Sequence, residues 1–510
     1  MYVAALDLGT TGCRTFIYDL KGNIKASDYQ EWDSFFPEPA YVEQDANVWW
    51  ASLKTTIKNA IKKARIKNLE ITSCSIANQR ETIVPISKDG KPLHNAIVWQ
   101  DRRTINQVEL IKKKIGIDPI YKTTGLTIDP YFSLTKILWF KENKPKIYKN
   151  TWKFMLVSDF IIYKLTGICV SDYSNASRTM LFDINDLKYS EDIASELEID
   201  LDKLPETVSS GDIVSKINIS ETEFDKTTQV VSGAGDQQAA ALGVGVTAPG
   251  EIKCTTGTGS FILAYLDKPS FDLQKRVLCS CHAIDNTWIQ EASIFTSGAA
   301  LRWFRDEIGH AEREMAKNGE DPYILIDKEA SKSPPGANGL IMLTHLVGAG
   351  APFWNPHARG VLFGLSLGHK RKDLYRAVLE GVAYDVRRNI EVFKDLGLKP
   401  SELKLTGGGA RSDLWNQIYA DVLNITCVRN VIEEATSLGA AILAACGAGL
   451  FSDVKKAAME LCQIDKKWYP NDRFSAYYDK YYKYSTNLYE LLSQKEFYMK
   501  FSEMISQNLK

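Results

Sequence analysis

Asp236 follows an apolar pair, Val230-Val231, and the small-residue turn Ser232-Gly233-Ala234-Gly235, and it opens an alanine-rich stretch. That order reads as strand, loop and helix, with the carboxylate at the helix N-terminus. A helix N-terminus favours the ionised form. An ionised carboxylate can accept a proton from a substrate hydroxyl. The plainer reading is an N-cap aspartate. Both can hold, because open α/β sheets bind ligands at strand ends.

Three further loops offer the complementary chemistry. Asn78-Gln79-Arg80-Glu81-Thr82 follows a strand-like run at 71–77, and 98–103 and 129–133 mix Trp99, Tyr131 and Phe132 with polar groups. Each alone is an ordinary loop or a half-buried aromatic. Together they supply what a polyol needs: paired donors and acceptors for hydroxyls, and ring faces for carbon-bound hydrogens. A second theme is Thr10-Thr11-Gly12 before Phe16-Ile17, repeated nearly half a chain later as Thr255-Thr256-Gly257 before Phe261-Ile262. Small residues let backbone N–H groups approach phosphate oxygens, and threonine hydroxyls add donors. There is no Walker A pattern and no kinase-type glycine loop. Cys279, Cys281 and His282 are too few for a metal site and read as a buried strand.

These loops need a scaffold. Strand-like and helix-like segments alternate, which predicts α/β architecture. Short strands are expected at 2–6, 15–18 and 403–405, with a hairpin turn at 19–22. Helices are expected from Val48 to about Ala64, along the stripe 374–393, over 413–423 with Ser412 as cap, and from about Tyr477 onward. The repeated hairpin predicts two similarly folded domains joined near 246–250, where Pro249 and Gly250 end an element.

The chain has 510 residues with 62 basic against 63 acidic side chains, a net charge of −1. That balance gives no electrostatic footprint for nucleic acid or an anionic membrane. No apolar run is long enough to span a bilayer, and the N-terminus lacks the pattern of a signal peptide. Nine scattered cysteines favour a reducing cytoplasm.

In order and spacing the motifs resemble the FGGY carbohydrate kinases, most closely their glycerol-phosphorylating branch. They are DLGTT at Asp7, NQRET at Asn78, NAIVWQDRRT at Asn95, TGLTIDPYFSLTK at Thr124, GAGDQQAAALG at Gly233 and TTGTGSFIL at Thr255. EASIFTSGAALRWFRD at Glu291, APFWNPHARG at Ala351, GGGARSDLWNQIYADVL at Gly407 and EATSLGAAILA at Glu434 continue the match. The resemblance implies two actin/hexokinase-like (ribonuclease H-like) α/β domains with the active site in the cleft between them. Residues 1–248 would form the polyol side. Residues 249–510 would form the nucleotide side with a helical extension.

It also implies roles. Arg80, Glu81, Trp99, Tyr131, Asp236, Gln237 and Phe261 would bind the polyol, with Asp236 as general base. Thr10, Thr11, Gly12, Arg14, Gly257 and Thr258 would hold the phosphates of ATP. Gly298, Arg302, Gly408, Gly409, Ala410 and Asp413 would line the nucleotide. Asp7, through water, and Asp236 would hold Mg²⁺. The expected partner is a small polyol, glycerol first, with no nucleic acid and no membrane; a homo-oligomer stays open. Leu8, Arg302 and Asp413 depart from the glycerol-phosphorylating pattern, and the run at Gly407 resembles the pentulose kinases. Erythritol, xylulose or ribulose therefore remain alternative acceptors. An actin-like or chaperone-like ATPase is the alternative of another class.

Overall fold

The computed structural model describes residues 1–219, 221–317 and 319–508. The chain forms two compact units. The first takes Met1–Thr247, Tyr265–Ile289 and Glu434–Gln463; the second takes Ala248–Ala264, Gln290–Glu433 and Ile464–Lys510. The first crossing falls beside the expected junction. The halves are not contiguous, however, because 265–289 and 434–463 return to the first unit.

The first unit is built on a six-stranded sheet in the order Ile213–Lys216, Gln229–Gly235, Ile71–Asn78, Tyr2–Leu8, Gly12–Asp19, Ile24–Glu31. Three central strands are parallel, and register pairs Leu8 with Asn78 and Asn78 with Gly235. Their C-terminal ends are therefore level, and the loops that follow leave from one edge of the sheet. On one face the helix Ala46–Ala64 buries Trp49, Leu53 and Ile57, each contributing about 1.5–3 kcal/mol by area. On the other face lies Ala435–Gly447, a helix from near the chain's end. It packs against Asp236–Gly243 through glycines: a Cβ on Gly243 would overlap Ala435 O, and one on Gly439 would overlap Ala239 O. Ser73 Oγ donates to Ala444 O at 2.7 Å, tying this helix to the sheet.

In the second unit Glu251–Thr256 runs antiparallel to Ser260–Leu266 and parallel to Glu402–Thr406, which is followed by Thr426–Asn430 and Ile464–Trp468. The helix Arg371–Asp395 carries the expected buried stripe. Asp413–Leu423 is capped by Ser412, whose Oγ accepts from Trp415 N at 3.0 Å. Asp472–Ser493 is the expected C-terminal helix.

Both units begin the same way, with a hairpin whose first strand also pairs in parallel with a later strand. The Thr-Thr-Gly repeat does not mark equivalent positions, though. The first turn is Gly9-Thr10-Thr11, with Gly12 already in its strand; the second is Gly257-Thr258-Gly259, with Thr255 and Thr256 still in theirs. The hairpins match and the tripeptides are offset.

No helix among the described residues is long and apolar enough to cross a membrane. Cys279 and Cys281 lie buried in the strand Leu278–Cys281. His282 is bonded within the fold, Nε2 lying 2.9 Å from Val246 O.

Candidate functional site

In the first unit the level strand ends bring together most of the residues expected to bind the acceptor. Gln229–Gly235 delivers Asp236, and Ile71–Asn78 delivers Arg80 and Glu81. Getting these strands close needs glycine: a Cβ on Gly233 would overlap Ile76 O, and one on Gly235 would lie 2.6 Å from Arg80 Cδ. Asp236 is the first residue inside its helix and Gly235 is the N-cap, so the plain capping role is corrected. Its carboxylate is turned to other partners. Oδ1 accepts from Gln237 N at 2.7 Å and lies 3.3 Å from Arg80 Nε, while Oδ2 accepts from Gln237 Nε2 at 3.3 Å. Its side chain keeps 34% exposure, against 2% for that of Arg80. The carboxylate is thus held by donors yet open to a ligand.

Glu81 sits at φ +64°, a left-handed conformation that a non-glycine residue adopts at a cost. The turn is fixed by Ser133 Oγ donating to Glu81 O at 3.0 Å and by Arg178 Nε donating to Glu81 Oε1 at 2.6 Å. Tyr131 and Trp99, both partly exposed, meet edge to face with centroids 5.5 Å apart. Lys136 Nζ, fully buried, donates to Tyr131 O at 2.6 Å and holds that loop. Burial pushes its ammonium down to about 7, opposed by nearby Glu81 and Asp101.

The hairpin at Thr10, expected to bind phosphate, adjoins this set. Trp99 Nε1 donates to Thr10 Oγ1 at 2.9 Å, while Trp32 Nε1 and Gln44 Nε2 donate to Thr10 O. Thr11 is exposed. Gly12 is buried, and a Cβ there would overlap Gln30 O, so its missing side chain serves strand packing. Arg14 donates to Glu434 Oε1 at 2.9 Å and stacks over Tyr29.

Asp7 stands opposite Arg14 in the hairpin register. Burial, then the neighbouring carboxylates of Asp236 and Glu434, push its pKa up to about 7, with Arg14 opposing. Carboxylate oxygens such as those of Asp7 and Asp236 are hard donors of the kind that fits Mg²⁺. No cluster of three or more His, Cys, Asp or Glu among the described residues could hold a metal.

The second unit assembles the remaining residues. The turn at Gly257 and Thr258 is exposed, and its carbonyls accept from Gly298 N at 2.9 Å and Ala299 N at 3.0 Å. A Cβ on Gly298 would overlap Gly257 O, and one on Gly409 would lie 2.7 Å from Thr256 Cγ2. Three glycine-bearing turns therefore meet at the end of Glu251–Thr256. Ala410 O accepts from Asn416 Nδ2 at 2.8 Å and Arg429 Nη1 at 3.1 Å, while Gly408 is open. Phe261 lies on the hairpin's second strand, and Arg302 is exposed on Gly298–Glu307. Asp413 is bound to Lys466 Nζ at 2.6 Å.

Sequence reasoning missed Glu434, Arg178 and Lys136. All three lie inside or beside quoted motifs or polar runs, yet their partners are remote in sequence, so only the fold reveals their roles.

A model of the FGGY family of carbohydrate kinases, N-terminal domain, matches residues 2–243, and the C-terminal domain of the same family matches residues 252–448. Glycerol kinase of Thermococcus kodakarensis is 37% identical over 92% of this chain and 93% of its own. Glycerol kinase 2 of Saccharolobus solfataricus is 38% identical over the same shares. Among solved structures, ligand-bound xylulose kinase from Lactobacillus acidophilus matches with TM-score 0.90 at 25% identity, covering 98% of this chain and 99% of that one. Plasmodium falciparum glycerol kinase with ADP matches with TM-score 0.87 at 26% identity, covering 97% and 98%.

Proposed function

Because the chain belongs to the FGGY family of carbohydrate kinases, and is a phosphotransferase with that family's two-domain fold, we propose that it transfers the γ-phosphoryl group of ATP to glycerol, giving sn-glycerol 3-phosphate and ADP. The observation that carries the reading is the acceptor set at two level strand ends: Arg80 and Glu81 after one, Asp236 after the other. The long matches to glycerol kinases support the choice of acceptor.

In this reading Asp236 accepts the proton as the glycerol oxygen forms its bond to the γ-phosphorus and the bond to the ADP oxygen breaks. Arg80 and Gln237 hold that carboxylate in place. Glu81 accepts from a substrate hydroxyl, and Trp99, Tyr131 and Phe261 cover the carbon-bound hydrogens. Thr10, Thr11, Arg14, Gly257 and Thr258 bind phosphate oxygens, with Gly12 fixing the first hairpin. Gly298, Arg302, Gly408, Gly409, Ala410 and Asp413 bind the nucleoside side. Asp7, through water, and Asp236 would hold Mg²⁺, which supplies charge neutralisation at the phosphates. In this reading residues 1–248 serve chiefly the polyol and 249–510 chiefly the nucleotide, with 265–289 and 434–463 packed into the first unit. Nine free cysteines support residence in a reducing cytoplasm.

The test is ADP release with ATP and each of glycerol, erythritol, xylulose and ribulose. Glycerol is expected to be the best acceptor. The similarity to the xylulose kinase structure favours a ketopentose as the second reading, and activity on xylulose with none on glycerol would establish it.

A further inference from the structure

Beyond the pair Asn78–Gly235 the two strands no longer share a ladder. Arg80, Glu81 and Asp236 lie just past that point, so something other than sheet hydrogen bonding must hold them. One short segment does so. Ser174 Oγ accepts from Gly235 N at 2.9 Å and donates to Asp172 Oδ1 at 2.5 Å. Asn175 exchanges side-chain hydrogen bonds with Asn78 in both directions, at 2.9 and 3.1 Å, and donates to Asp172 Oδ2 at 2.6 Å. Arg178 Nε reaches Glu81 Oε1, and its guanidinium lies 5.8 Å from the Tyr131 ring centroid and 5.3 Å from that of Phe132. Thr179 O accepts from Leu134 N at 2.8 Å, just after Tyr131.

Asp172, Ser174, Asn175, Arg178 and Thr179 are each buried to 2% exposure or less. A buried polar network is costly unless each member is satisfied, and a satisfied one fixes geometry tightly. The bonds that Ser174, Asn175, Arg178 and Thr179 make outside the segment land on, or within three residues of, a residue assigned above to the acceptor site, while Ser177 Oγ accepts from Cys281 N and Asp172 Oδ1 also accepts from Ser210 Oγ, anchoring the segment to the rest of the unit.

We propose that 172–179 is a positioning element for the acceptor site. Ser174, oriented by Asp172, sets the backbone that presents Asp236, and Arg178 aims the Glu81 carboxylate at the substrate. The inference rests on the proposed function, and it makes a distinction that function alone does not. Ser174 acts through the base and governs turnover. Arg178 acts through a binding carboxylate and governs acceptor affinity.

The test is steady-state kinetics on the full chain, using the best acceptor of the four, for S174A, R178M, R178K, E81Q and E81Q/R178M, each beside its thermal midpoint. S174A is expected to lower kcat by about 10–100-fold with the acceptor KM little changed, since small misplacements of a reacting group cost up to about 10²-fold. R178M is expected to raise the acceptor KM by about 10–100-fold, the loss typical of an outer partner, and R178K to recover part of it. In the E81Q background R178M is expected to add less than about threefold, because residues acting through one another are not additive. Unchanged kcat in S174A, or R178M and E81Q effects that simply multiply, overturns the proposal. If R178M does not fold, S174A and R178K decide it. Failure of the functional reading shows separately, as an unaltered chain inactive on all four acceptors, and removes this inference with it.

Discussion

In the proposed function, Asp236 shows how a general base is made from an ordinary residue type. Its position inside the helix supplies one backbone donor, Gln237 N, and Arg80 supplies a buried cation, while a third of the side chain stays open. Asn at this position can still accept from both donors but cannot take a proton. D236N is therefore expected to lower kcat by about 10²–10⁴-fold, with nucleotide affinity by calorimetry retained; near-normal turnover would exclude Asp236 as the base. Trp99 carries a second prediction. Its ring edge meets Tyr131 and its indole N–H donates to Thr10, so one side chain serves both the acceptor loop and the phosphate hairpin. W99F keeps a ring and loses the donor. Both the acceptor and the ATP KM are expected to rise about fivefold, the equivalent of one net hydrogen bond of about 1 kcal/mol. A rise in the acceptor value alone would show that Thr10 is positioned by its backbone contacts to Trp32 and Gln44.

At the scale of elements, a helix start shows how burial shapes pH dependence. Asp159 lies in the first turn of Val157–Thr166, where Oδ2 accepts from Leu156 N at 2.8 Å. Burial, then the neighbouring Asp172 carboxylate, raise its pKa from 3.8 to about 7. The unfolded chain releases this proton near 3.8 and the folded chain keeps it to about 7. Its contribution to stability is therefore greatest below that window and falls as pH rises through it. D159N keeps an acceptor for Leu156 N and removes the titration. Urea midpoints from pH 4 to 8 are expected to fall less in D159N than in the unaltered chain; parallel curves would refute this assignment. The same scale explains what could be read in advance. Strands, hairpins and capped helices were legible, because glycine turns, Ser412 and the apolar stripes are local signals. The offset of the two Thr-Thr-Gly tripeptides was not, because a turn's position depends on strand pairing that a tripeptide does not encode. That Arg80, Glu81 and Asp236 belong to one polar group could be expected from their loops, and the fold brings them together. Their support by Ser174, Asn175 and Arg178 was not, since it depends on which remote backbone those side chains reach.

At the scale of the whole molecule, chain order and compact units disagree, and the disagreement has a consequence for folding. The first unit's sheet is complete by Gln229–Gly235, yet one of its faces is covered by Ala435–Gly447, made two hundred residues later. That helix meets three of the central strands, its Ser437 bonds to Tyr18 at 2.6 Å, and its close approach to Asp236–Gly243 depends on Gly243 and Gly439. A chain ending at Thr247 would leave Val3, Val231 and the small apolar face of Asp236–Gly243 without their cover. Uncovered sheet faces of this kind lose their burial energy and expose apolar surface. Residues 1–247 expressed alone are therefore expected to bind a hydrophobic dye and to unfold without a cooperative transition. Adding 434–463 through a flexible linker is expected to restore a cooperative transition and suppress dye binding. If 1–247 alone melted cooperatively with no dye signal, the returning helix would be dispensable to the fold, and its role would narrow to delivering Glu434 to Arg14.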